Sequence, residues 1–202
     1  VSAQPAGTPL GAATARGAVV TGPLAGAALA EVRSAGALAA GTAAVQTWLR
    51  RDSDDRGLVA AACTAPRPEG WLLAGGGDST RRERLVLANP GANVVTVDVE
   101  VLGGAGRVPT PGGSRLAVPP HGRIGLLVDA LAPGEQTPVV HVTATGGLVS
   151  AVLEDSWIEG AVGRGRDDVT PADGPGTDLV VPAGSLSGPA RLRVAVTGAA
   201  EA

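Results

Sequence analysis

Phenylalanine, tyrosine, methionine and lysine are all missing from this chain. Isoleucine occurs only at Ile124 and Ile158, and asparagine only at Asn89 and Asn93. The missing and scarce residues have A/T-rich codons, and the abundant Ala, Gly, Pro and Arg have G/C-rich ones. The pattern therefore reports a G+C-rich genome rather than a functional adaptation. Its physical consequence is a core built from Val, Leu and Ala, with three Trp as the large fillers available. A single cysteine, Cys63, excludes an internal disulfide and leaves the redox compartment open. A free Cys usually behaves as a small buried apolar residue, and that is the expectation for Cys63. No run comes near the roughly 20 apolar residues that a membrane span needs, since stretches such as residues 25–30 are short and broken by Gly26. The first residue is Val1 rather than Met, so the lack of a visible leader says nothing about compartment. All 16 basic residues are Arg, they are scattered, and the net charge is -3. A phosphate-backbone footprint is therefore missing, and nucleic acid is not expected as a partner.

What is present is a set of short Val-rich stretches. Residues 94–102 read VVTVDVEVL, with Val95, Val97, Val99 and Val101 on one face and Thr96, Asp98 and Glu100 on the other. Successive side chains of a strand point to opposite faces, so this is a half-buried strand with one dry side. Residues 84–89 (RLVLAN) form a strand that stops at Pro90, and Asn89-Pro90-Gly91-Ala92 has the chemistry of a turn. Residues 115–118 give a short strand closed by Pro119-Pro120-His121-Gly122, and residues 122–131 are apolar enough for burial. Residues 139–144 alternate again, with His141 and Thr143 opposite Val140 and Val142. Thr145-Gly146-Gly147 suits a tight hairpin into residues 148–155. Residues 29–34 suit a short strand, and 43–50 a strand or a short helix. Short alternating strands closed by Gly or Pro predict an all-β fold, an antiparallel β-sandwich of immunoglobulin-like or similar type.

The expected organisation is a linker or mobile terminus over residues 1–18, a β-sandwich domain over 19–162 and a linker over 163–177. Strands over 178–202 follow. Arg191-Leu192-Arg193-Val194-Ala195 echoes Arg84-Leu85-Val86-Leu87-Ala88. The last segment is thus either the opening of a second, truncated copy of the sandwich or a chance echo in a low-diversity sequence.

Candidate chemistry is sparse. Asp52, Asp54 and Gly57 match the start of a calcium loop, but Arg56 and Cys63 stand where oxygen ligands are needed, so a solvated turn is expected. Cys63, His121 and His141 are too few and dispersed for zinc. Residues 75–82 (GGGDSTRR) resemble a phosphate loop without its Lys or following helix, and an interstrand loop is expected instead. Gly184-Ser185-Leu186-Ser187-Gly188 lacks the central Ser of a nucleophile elbow. Nothing in the spacing brings His121 or His141 to Ser150 or Asp129. Glu154, Asp155 and Glu159 surround Trp157 and read as a wet strand end rather than a glycosidase pair. Catalytic residues, metals and cofactors are therefore not expected. Trp48, Trp71 and Trp157 are the candidate ligand-binding residues: each either plugs the core or presents a flat face on which a sugar ring stacks.

Several phrases together resemble an actinobacterial family of uncharacterised, membrane-anchored extracellular proteins. They are Cys63-Thr64-Ala65-Pro66 with residues 71–77 (WLLAGGG), residues 84–90 (RLVLANP), residues 138–142 (PVVHV), and residues 165–168 (GRDD) leading to 180–184 (VVPAG). The likeness spans about residues 57–200 and rests on turns and strand ends. It departs from the family habit in having Leu72 after Trp71, where members tend to have Phe. The resemblance implies tandem β-domains outside the cytoplasm, tied to the membrane by an anchor not present in this chain. The expected function is a non-catalytic structural or protein-interaction module of the cell envelope, its partner an envelope protein. The alternative is a carbohydrate-binding module, its partner a cell-wall glycan. An exposed Trp beside polar groups favours the glycan, and an exposed apolar patch or open strand edge favours the protein.

Overall fold

The computed structural model describes residues 2–4, 8–9, 11–24, 29–51, 56–73, 75–76, 80–181 and 192–197. Two antiparallel sheets face each other across one core. The first contains β6 (Glu69–Leu73), β8 (Val95–Gly103), β9 (Gly106–Val108), β10 (Leu116–Val118) and β12 (Val139–Thr145), in the order β10-β8-β12-β6 with β9 also on β8. The second runs β11-β7-β13-β14, where β7 is Arg81–Asn89, β11 Gly122–Leu127, β13 Ser150–Glu159 and β14 Val162–Val169. A single helical turn, α1 (Val128–Leu131), closes one side.

The period-two pattern decides what goes inside. Val95, Val97 and Val99 of β8, Val140 and Val142 of β12 and Leu72 of β6 meet Leu85 and Leu87 of β7 and Ala151 and Leu153 of β13. Val118, Val128, Leu131 and Val149 complete the cluster. The molecule is therefore the antiparallel β-sandwich that alternation predicts, with a core of small branched side chains in place of aromatics. Burying each such side chain contributes about 1.5–3 kcal/mol.

Outside the sandwich, β4 (Val45–Arg50) and β5 (Gly57–Ala62) form a ribbon that runs along β14. Further towards the N-terminus are β1 (Ser2–Gln4), β2 (Thr8–Pro9) and β3 (Leu29–Glu31), which pair into a small sheet, followed by a 3-10 helix (Gly36–Gly41). Residues 1–18, expected as a linker, thus carry two short strands.

Three further expectations are corrected. The sandwich does not stop at residue 162, because β14 occupies the first half of the expected linker and pairs with β13 from Leu153↔Val169 to Glu159↔Val162. Apolar alternation could not announce it: β14 reads VGRGRDDV, and its outward side chains, Arg166 and Asp168, are held by ion pairs rather than by apolar burial. Thr145-Gly146-Gly147 is not a hairpin, since β12 and β13 lie in different sheets and the turn crosses between them. Cys63 is exposed rather than buried, because it falls just beyond the last residue of β5. In the last segment, residues 179–181 and 192–197 carry no strand, and the stretch between them lies outside the described residues. So do residues 52–55 of the calcium-like loop, residues 77–79 of the glycine-rich loop and the whole 184–188 segment.

Candidate functional site

Position 141 lies between two polar-facing neighbours in register, Trp71 on β6 and Glu100 on β8. Alternation sends Val140 and Val142 into the core and His141 outwards. The His141 and Trp71 rings stack with centroids 3.8 Å apart and planes 11° from parallel. Glu69 Oε1 fastens the pair: it accepts the indole N–H of Trp71 at 3.1 Å and lies 2.9 Å from His141 Nε2. Glu100 Oε2 lies 3.7 Å from His141 Nδ1, too far for a hydrogen bond, and Glu100 is paired in turn with Arg107 of β9. Beside this array is an open cavity of about 420 Å³, lined by Asp98, Glu100, Arg107, Thr110, Ser114 and Thr143 among others. That volume is within the roughly 300–1,000 Å³ of small-molecule sites. Carboxylates, a guanidinium and hydroxyls give the cavity both acceptors and donors for a hydroxyl-rich ligand.

Trp157 lies on another surface. It is 50% exposed near the end of β13, with the Arg81 guanidinium 5.2 Å from its ring centroid. Arg81 also grips Asp155 in bidentate fashion through one guanidinium edge, Nε lying 3.2 Å from Oδ1 and Nη2 meeting Oδ2. One step further in, Glu83 is fully buried, and its Oε1 accepts the Gly76 N–H. Burial pushes the Glu83 carboxyl up to about 7, and Asp155 and Asp129 push the same way while the Gly76 N–H and Arg81 oppose it.

Trp48 occupies a third surface, the side of the β4–β5 ribbon that faces β14. Arg166 lies 4.9 Å and Arg50 5.6 Å from its ring centroid. Arg166 is fixed by Glu154 at 2.9 Å and Asp168 at 3.3 Å, and Gln46 reaches Asp168 at 3.4 Å. The buried Val59 and Ala61 share this inner side of the ribbon. The other side is apolar and bare: Val45, Leu49 and Leu58 are 63%, 58% and 69% exposed, and Leu49 stands directly across from Leu58.

Residues 18–202 match a family of unknown function, DUF5719. The chain belongs to that family. No curated protein and no solved structure matches it.

In this DUF5719 chain the three tryptophans are not brought together, and among the described residues the core is filled without them. Trp71 stacks on a histidine, while Trp48 and Trp157 lie under guanidinium groups. Each acid around Trp157 is paired with its own arginine: Glu154, on the opposite face of β13, with Arg166, Asp155 with Arg81, and Glu159 with Arg164. His121 lies in the turn before β11, where its N–H donates to the Gly91 carbonyl, and Ser150 is in the opposite sheet from His141. Among the described residues, no cluster of His, Cys, Asp and Glu is arranged to hold a metal ion.

Glu69, Glu83 and Arg107 were not singled out by sequence reasoning. A signal for Glu69 was present, because alternation puts it on the same face as Trp71. Nothing local revealed that β12 would bring His141 beside both.

Proposed function

We propose that this chain is a non-catalytic, extracytoplasmic β-sandwich module of the cell envelope that works by protein–protein interaction. The observation that carries the reading is the β4–β5 ribbon. Among the described residues β4 pairs with β5 alone, so its outer edge offers unpaired backbone groups beside the bare Val45, Leu49 and Leu58 face. An open edge next to an apolar face suits an extended strand from a partner protein, which would add backbone hydrogen bonds and cover the apolar side chains. The extracytoplasmic address, the membrane anchor and the actinobacterial source in this proposal rest on the sequence resemblance over residues 57–200. The non-catalytic assignment is supported by the occupation of His141, which stacks on Trp71 and meets carboxylates rather than a nucleophile.

The test is capture from envelope extract by the full chain, repeated with Thr47→Pro, which removes one edge N–H, and Leu49→Lys, which charges the apolar face. A discrete partner retained by the parent chain and lost by both variants is the expected result. Equal retention by all three overturns the ribbon as the docking element.

A second reading, carbohydrate binding, is favoured by the polar cavity beside the Trp71–His141 stack and by the half-exposed Trp157. Retention on cell-wall glycan that Trp71→Ala or Trp157→Ala abolishes, with the ribbon variants unaffected, would move the assignment to that reading.

A further inference from the structure

Among the described residues, the buried polar and charged side chains are Glu83, Asn89 and Asp155. Asn89 is fully bonded and Asp155 is gripped by a guanidinium. Glu83 differs, because its Oε2 is buried with no hydrogen-bond partner. An ionised carboxylate in that position leaves charge uncompensated, whereas the neutral acid carries its proton there at far smaller cost.

Among the described residues, the groups facing Glu83 do not supply the compensation. Arg81, on the same strand, is paired with Asp155 of β13, and Asp129 of α1 adds a second negative charge. The cover over the carboxyl is the backbone of Gly75 and Gly76. Gly75 has φ +71, and a Cβ placed on it would overlap the Glu83 carboxyl, so glycine alone permits this close approach. The carbonyl of the same Gly75 accepts a hydrogen bond from Arg193 Nη2 at 2.7 Å. Carboxyl, glycine pair and the 192–197 segment are therefore mechanically in series. That segment turns Arg193 and Ala195 towards the molecule and leaves Leu192, Val194 and Val196 exposed.

We infer that Glu83 is a proton-operated latch: the neutral acid tolerates burial beneath the Gly75–Gly76 backbone, to which Arg193 ties the 192–197 segment, whereas the ionised carboxylate favours opening of that cover to water. The elevated carboxyl pKa of about 7 puts the transition near neutrality. The latch is independent of what the module binds.

Hydrogen exchange of the full chain from pH 5 to pH 8, corrected for intrinsic exchange, together with methyl NMR relaxation of Val194 and Val196, tests it. Protection at the Gly76 amide is expected to fall by up to about tenfold per pH unit between about pH 4.5 and 7 and to level off above, with the Val194 and Val196 methyl groups gaining mobility over the same range, and both responses are expected to be lost in Glu83→Gln. Arg193→Ala is expected to mobilise the Val194 and Val196 methyl groups already at pH 5 while Gly76 keeps its pH response. Unchanged wild-type protection across this range, an equal fall in Glu83→Gln, or a segment indifferent to Arg193→Ala overturns the latch. Should Glu83→Gln fail to fold, carboxyl-carbon NMR of the parent chain decides: a Glu83 midpoint near 7 that coincides with shifts of the Gly76 amide supports the latch, and one near 4.5 overturns it.

Discussion

The side-chain amide of Asn89 donates to the Val118 carbonyl at 3.1 Å and so ties the end of β7, in one sheet, to β10 in the other. The same amide donates to the Asn93 carbonyl at 2.7 Å, and Asn89 Oδ1 accepts the Gly91 N–H at 2.8 Å. One buried side chain therefore closes the turn that crosses between the sheets.

Asn89→Ala is expected to destabilise the domain by about 2–4 kcal/mol, because it strands buried backbone groups that water cannot reach. Asn89→Asp keeps the acceptor for Gly91 but sets a carboxylate against two carbonyl oxygens, so it should be at least as damaging. Urea denaturation of both variants checks the size and the order.

Stability should depend on Glu83 with a definite sign. Its pKa is raised from an ordinary 4.5 to about 7 in the folded state, so the native protein binds more protons than the unfolded chain between those values. The stabilisation is complete below about pH 4.5 and is lost as pH rises through about 7. The shift corresponds to about 3 kcal/mol. Urea midpoints of the parent chain and Glu83→Gln, measured from pH 5 to pH 8, should fall in the first and lose this component in the second.

The Trp71–His141 stack should show a measurable coupling. A double-mutant cycle with Trp71→Ala and His141→Ala is expected to give about 0.5–1.5 kcal/mol, the range of aromatic pairs beyond simple burial. Trp71 fluorescence should respond to His141→Ala, because the ring directly against the indole is removed.

The ribbon and the core should respond oppositely to truncation. Leu85→Ala, in the buried cluster, is expected to cost about 2–5 kcal/mol. Leu58→Ser, on the bare ribbon face, should change stability by no more than about 0.5 kcal/mol and raise solubility. A large loss for Leu58→Ser would mean that something already covers that face.

Much of the sandwich was legible because β8 and β12 alternate apolar and polar residues, as a half-buried strand must, and β7 carries a short apolar run closed by Pro90. β14 was not legible, since Gly163, Arg164, Gly165 and Arg166 carry no such pattern; its place depends on a neighbouring strand and on ion pairs. The tryptophans were correctly singled out as unusual, yet whether each plugs the core or faces outwards depends on which strand runs beside it.

Chemical character was thus written locally: an all-β chain, a Val/Leu/Ala core, and His141 on the polar side of its strand. Strand pairing decided everything that links distant residues, including the Trp71–His141–Glu69 array, the Arg81 cover over Trp157 and the burial of Glu83 beneath Gly75. The physical reason is that a side chain's face follows from its own strand, whereas its partners follow from register between strands tens of residues apart, which local periodicity does not encode.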